Sequence, residues 1–239
     1  MYKFQGQNLN DNNLEKNNQD FNQALNIYEN DYSHEDLIYF LKNGSVAQKQ
    51  AAALKLDCLN SENDAQILMS NLTNCDGKIR EAVSFRLNEF LSAHSEYFVN
   101  FSDIFLDAII DINGNICRNT ISALKYMKKY PDFAACFCKK LTFNTLELAR
   151  KAEKFDVQDG KYKVNKEIFK LYWYLEMIYE YCDYISHETI ADILFLAKNV
   201  HDYTIREKVA KILSKVNSGY FDKIREELSK DENYYVRRF

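Results

Sequence analysis

Glycine and proline are nearly absent from this chain: six Gly and one Pro stand in 239 residues. Sandwiches and barrels place turns roughly every 8–12 residues and draw on Gly, Pro and Asn to make them. Gly-rich phosphate loops need still more glycine at fixed spacing. A chain with so little punctuation is expected to be all-α, its helices joined by Asn, Asp and Ser turns. The length is enough for a well-buried core in one or two domains.

The helical grammar is visible along most of the chain. Ser33 followed by Asp36, Ser61 by Asp64, Asn144 by Glu147 and Thr204 by Glu207 each precede apolar residues at spacings of three and four. Each pair is a candidate capping box. Residues 1–20 read as a polar, mobile tail crowded with Asn, and a first helix is expected from Phe21 to about Tyr28. The remainder, 21–239, is expected to be one domain. Gly44, Gly77 and Gly114 fall in short polar gaps that fit helix C-termini or tight inter-helix turns. Asp132 to Leu141 and Asn144 to Phe155 read as one helix pair. Lys161 to Asn165 reads as a polar break before a long helix from Glu167 to Ile185, and Lys230 to Phe239 as a charged tail.

An internal repeat organises these helices. Segments starting at Val46, Ile79, Ile116 and Ile205 follow a polar gap and reach a Leu eight residues later, and an apolar helix precedes each of the first three. Spacings of 33 and 37 residues between the first three, with two helices per unit, are the signature of stacked helical repeats. Asp76-Gly77-Lys78-Ile79-Arg80 and Asp202-Tyr203-Thr204-Ile205-Arg206 carry an acid in the turn, a branched residue and then Arg; Asn113 to Arg118 carries the Arg one place later. This pattern resembles the HEAT family. The resemblance covers about residues 34 to 217 and implies a right-handed α-solenoid of five or six antiparallel helix pairs that serves as a protein-binding scaffold.

Charge and composition narrow the function. The net charge is -4, which argues against a general nucleic-acid binder. Residues 1–40 carry -5 and residues 121–170 carry +6, mostly as Lys; Lys is the poorer fork for phosphates, and a solvated face accounts for it. No run of 18 apolar residues occurs and Met1 to Asn10 lacks the apolar region of a secretory signal. Most of the six Cys sit among apolar residues, which fits a reducing cytoplasm, although an even count also allows disulfides. Cys136-Phe137-Cys138 has the wrong spacing for a thiol–metal pair, and the four His are scattered. No metal or cofactor is expected, and no reaction.

Candidate binding residues are Arg80, Arg118 and Arg206 beside the repeat turns, and Tyr172, Trp173 and Tyr179 in the densest aromatic stretch. Arg and aromatic residues dominate binding hot spots. The competing readings are an inter-repeat ion pair for the arginines and core packing for the aromatics. Glu176 and Glu180 share one helical face near His187 in sequence, which faintly suggests an acid/base or metal site, but solvated glutamates account for them. The expected role is a non-enzymatic interaction scaffold with a protein partner. The alternative is a DNA-binding enzyme of the alkylation-repair glycosylase type, a HEAT-like group whose members use tryptophans with an Asp; here Trp173 has no acid at a recognisable spacing. The bilin lyase-type HEAT proteins share only the general repeat.

Overall fold

The computed structural model describes the backbone of residues 8–155 and 161–239 and the side chains of 18–155 and 165–239. Those residues form thirteen α-helices and short 3-10 segments, with no strand among them. No helix among them is long and apolar enough to cross a membrane. The chain divides into two compact units, Met1–Phe98 and Val99–Phe239.

The first unit holds α1 (Asn8–Glu29), α2 (His34–Asn43), α3 (Val46–Lys55), α4 (Glu62–Met69) and α5 (Gly77–His94). Helices α1, α3 and α5 lie side by side in one layer; α2 and α4 form the other, with α2 packed across α3. The second unit holds α6 (Ser102–Ala108), α7 (Gly114–Leu124), α8 (Pro131–Ala152), α9 (Lys161–Tyr181), α10 (His187–Ala197), α11 (Tyr203–Lys215), α12 (Asp222–Leu228) and α13 (Tyr234–Arg237). Helices α7, α9, α11 and α13 make one layer, while α6, α8 and α10 make the other, so successive helices pair across the layers. Both units are therefore stacks of helix pairs.

One local device starts the second helix of several pairs. The side chains of Asp76, Asn113, Asp202 and Asn233 each accept a hydrogen bond from the backbone N–H two residues on. The third residue after each cap, Ile79, Ile116, Ile205 or Val236, is buried. The next side chain reaches back to carbonyls of the preceding turn. Arg80 bonds Cys75 O, Arg206 bonds Val200 O at 3.1 Å and His201 O at 2.6 Å, and Arg237 bonds Asp231 O and Glu232 O. In α7 Cys117 takes that place and its Sγ donates to Asp111 O at 3.1 Å. The cap satisfies orphan N–H groups at the helix start, and the Arg rigidifies the turn that glycine would otherwise shape.

Helix ends follow a second rule. Among the described residues no glycine has a positive φ, and Asn74 (φ 58) is the non-glycine residue that does. Left-handed glycine caps are thus not used among the described residues. Side chains from neighbouring elements bond the last carbonyls instead. Lys55 bonds Ile27 O and Asn30 O at the end of α1, and Arg86 bonds Leu54 O and Leu56 O at the end of α3. Tyr181 donates to Leu124 O at the end of α7; Lys128 and Lys215 bond Glu180 O and Tyr179 O at the end of α9. Arg225 bonds Leu213 O and Val216 O at the end of α11. Cations there also face the negative end of the helix dipole.

Several sequence expectations change. Helix α1 begins at Asn8, well ahead of Phe21; residues 1–7 lie outside the described residues. Its Ile27 is fully buried, and Gln23 bonds Ser45 at 2.5 Å, so docking on α3 holds a helix that its asparagines disfavour. Asn144 starts no helix: α8 runs unbroken from Pro131 to Ala152, with Thr145 Oγ1 bonded to Leu141 O inside it. Pro131 stands in its first turn, where a missing N–H costs nothing. The backbone of 161–165 is the first turn of α9, not a break, and 156–160 lie outside the described residues. Asp202, not Thr204, caps α11, and the charged tail contains α13. The Ser33–Asp36 capping box is present in full; Ser61 caps α4, but Asp64 turns to His34 Nε2 at 2.9 Å and to Asn60 N.

Gly77 and Gly114 open helices rather than close them. Gly44 does follow a helix, yet with extended backbone (φ -73, ψ 169). It is glycine for space: an added Cβ would stand 2.6 Å from Phe40 O and 2.9 Å from Gln48 Cβ. Gly44→Ala is expected to lower unfolding free energy by about 1–3 kcal/mol through overpacking. Gly77→Ala, whose Cβ would meet open space up to Arg80 at 3.9 Å, is expected to leave stability unchanged or raise it by up to about 1 kcal/mol. Urea denaturation of both variants checks the contrast.

Candidate binding surface

Tyr172 and Tyr179 sit on the face of α9 that meets α11. Residues 172, 176 and 179 share that face by their spacing of four and three. Across from them Lys208, Lys211 and Lys215 recur on α11 at spacings of three and four. The ammonium of Lys208 lies 4.1 Å from the Tyr172 ring centre, and those of Lys211 and Lys215 lie 4.2 and 4.9 Å from that of Tyr179. Glu176 sits between them, bonded to Lys208 and, at 2.7 Å, to Lys211. The two tyrosines are thus half-buried partners of a lysine row that clamps α11 onto α9.

Glu176 is accordingly no solvated glutamate. Burial alone would raise its carboxyl, but hydrogen bonds and charge from Lys208 and Lys211 outweigh that and hold it below its ordinary value. Glu180 lies 3.7 Å from Lys128, so the two acids of this helix face are paired with different lysines. Trp173 is 8% exposed, edge-on to Phe169 and Tyr172 at 6.1 and 5.2 Å, with Gly114 facing its Cζ2. It belongs to the core. Its Nε1 is buried without a hydrogen-bond partner.

The arginines separate in the same way. Arg206 makes a two-pronged pair with Asp231, Nε to Oδ2 at 2.6 Å and Nη2 to Oδ1 at 3.2 Å. That ties the start of α11 to the turn before α13, and it holds the Asp231 carboxyl low against the upward push of burial. Arg80 is committed to its own turn. Arg118 is exposed and bonds Asn115 Oδ1 at 3.1 Å. Within the second unit Arg118 and Arg206 therefore have surroundings of their own, apart from the lysine row on Tyr172 and Tyr179. Cys117 and Cys138 are buried, which pushes both thiols up to about 12 and makes them packing groups. Among the described residues no three His, Cys, Asp or Glu side chains gather to hold a metal ion.

A different cluster does converge, at the starts of α11 and α13. Tyr203, Tyr234, Tyr235 and Phe239 are 41, 66, 50 and 50% exposed. The Tyr203 and Tyr235 rings stack at 6.3 Å, and Tyr234 meets Tyr235 at 5.8 Å. The guanidinium of Arg238 lies 5.2 Å from the Tyr235 ring centre and 5.0 Å from that of Phe239. Glu207 fixes Arg238 from the other side at 2.6 Å. Four exposed aromatic rings and a held guanidinium form a continuous platform of the residue types that anchor interfaces. The signal was present in the chain: Asn233-Tyr234-Tyr235-Val236-Arg237 copies Asp202-Tyr203-Thr204-Ile205-Arg206.

Replacing Glu176 by Gln leaves Lys208 and Lys211 facing each other with reduced compensation. A loss of about 2–3 kcal/mol is expected. Because the Glu176 value is lowered in the folded chain, its contribution is full above about pH 4.3 and disappears as pH falls through the lowered value. Glu176→Gln should therefore be less stable at pH 7 and show a shallower acid-side decline, read by urea denaturation from pH 7 to pH 3. No family model matches the chain, and neither a curated protein nor a solved structure matches it.

Proposed function

We propose that the chain is a HEAT-like, right-handed α-solenoid that binds another protein and catalyses no reaction. The observation that carries this reading is the exposed platform of Tyr203, Tyr234, Tyr235, Arg238 and Phe239. Tyr rings give large, stiff contact area at low entropy cost, and Arg supplies directed polar contacts. The repeat identity draws support from the turn device shared by α5, α7, α11 and α13 and from the Arg206–Asp231 tie. The alkylation-repair reading finds no support at Trp173, which is packed inside α9's contacts rather than presented beside an acid.

The test is affinity capture from lysate of the source cells, with wild-type chain and Tyr234→Ala/Tyr235→Ala side by side. Both side chains are surface groups, so the double variant should keep its melting temperature within a few degrees. The expected result is at least one protein captured by wild type and lost from the variant. Identical capture by both would reject the platform. Binding of duplex DNA at 50 mM salt that collapses at moderate salt would favour the enzyme alternative.

A further inference from the structure

The turn that opens α7 places a reactive pair of residues within reach of water. Two Asn-Gly pairs occur in the chain, Asn43-Gly44 and Asn113-Gly114. In such a pair the glycine amide can attack the asparagine carboxamide, because no side chain blocks its approach. We propose that Asn113 is a modification site: the fold directs this reaction to Asn113-Gly114 and away from Asn43-Gly44, turning Asn113 into Asp or isoaspartate while the chain stays folded.

The reaction needs only water. Gly114 N attacks Asn113 Cγ and gives its proton to solvent. The new C–N bond closes a cyclic imide, and the Cγ–Nδ2 bond breaks to release ammonia. Water then opens the ring. Opening at Cγ leaves Asp; opening at the backbone carbonyl of Asn113 leaves isoaspartate, in which the main chain runs through the former side chain. In sum, water is consumed and ammonia released, with nothing oxidised or reduced.

Two features of the folded turn favour the attack. The Gly114 N–H is the first of α7 and donates to no acceptor among the described residues, as is usual at a helix start. No bond holds the nucleophile. The Asn115 N–H donates to Asn113 Oδ1 at 2.9 Å. That oxygen takes up negative charge when Cγ is attacked, and a preset donor at such a distance stabilises an oxyanion. The Asn113 N–H is tied to Asp111 Oδ1 at 2.9 Å, which fixes the turn. Asn113 and Gly114 are half-buried between exposed Ile112 and exposed Asn115, so water has access.

Three comparable turns each lack one part. The Gly44 N–H is spent on Phe40 O at 2.8 Å, and the Asn43 carboxamide donates to Tyr39 O at 3.2 Å. Attack there must first open the last turn of α2. Asn233 repeats the hydrogen bonds, from Tyr235 N at 2.9 Å and to Asp231 Oδ1 at 2.8 Å, but Tyr234 follows it, and a side chain on the attacking residue hinders its amide. Asp76 precedes Gly77 and accepts from Lys78 N at 2.8 Å, but a carboxylate is a poor electrophile. Asp76 and Asp202 also show what the Asp product does. An acid in this cap is what α5 and α11 already use, and it suits the positive end of a helix. The isoaspartate product instead lengthens the main chain by one methylene beside the buried Ile116 and Trp173.

The experiment incubates the full-length chain at pH 8.5 and 37 °C and follows its peptides by mass spectrometry, with isoaspartate read by methyltransferase labelling. The peptide carrying Asn113 should become one mass unit heavier at least tenfold faster than those carrying Asn43 and Asn233. In 6 M urea the two Asn-Gly pairs should react at similar rates, because the fold alone separates them. Gly114→Ala places a Cβ at an ordinary contact distance, 3.5 Å from Trp173 Cζ2. It should slow the reaction at least tenfold with an unchanged circular dichroism spectrum. Asn113 reacting no faster than Asn43 or Asn233 in the folded chain overturns the proposal. So does a preference for Asn113 that persists undiminished in urea, or a rate untouched by Gly114→Ala.

Discussion

The stack depends on side-chain cations that close the ends of helices. A helix leaves its last carbonyls without partners, and most proteins meet part of that need with a left-handed glycine. Here the ends of α1, α3, α9 and α11 are met by Lys55, Arg86, Lys128 with Lys215, and Arg225. For four of these five side chains the donor sits on the next helix of the unit or on the one packed against the end it closes. A bond that finishes one helix thereby positions its neighbour. That is how a chain with six glycines can still end its helices cleanly.

The same economy explains which candidates are free to bind. Arg206 is spent on Asp231, and Tyr172 and Tyr179 are spent on the lysines of α11. Among the exposed rings are those just past the turn caps of α11 and α13, at Tyr203 and Tyr234. The turn device buries its third residue. Its first residue is an exposed tyrosine at Tyr203 and Tyr234, whereas at Gly77 and Gly114 it is a half-buried glycine. Exposed aromatic surface is thus added to a structural motif without altering the motif's own bonds.

Much of the fold could be read from the residues. The scarcity of Gly and Pro, the 33- and 37-residue spacings and the Asp76 and Asp202 turns point to paired helices, and six pairs follow α1. What escaped did so for physical reasons. Helix α1 is held by docking on α3 rather than by its own composition. Asn144 and Glu147 mimic a helix start, but Thr145 bonds backward into the running helix and the apolar stripe continues through Leu141 and Leu148. The role of Tyr172 and Tyr179 could not be read, because the lysines that cover them lie some thirty residues away in sequence. Helix α13 was legible in principle; a run of charges around a single buried Val236 concealed a copy of the α11 turn.

Arg86 offers the most direct test of the capping account. It reaches from α5 to Leu54 O at 3.0 Å and Leu56 O at 2.7 Å, and its guanidinium also lies 5.2 Å from the Phe90 ring centre. Arg86→Met keeps the apolar packing of the stem and removes both bonds. Hydrogen exchange on this variant should show faster exchange through the last turn of α3 and the segment leading to α4, with a global loss of about 2 kcal/mol. Exchange at α3 identical to wild type, with unchanged stability, would contradict the claim that neighbouring cations hold these helix ends.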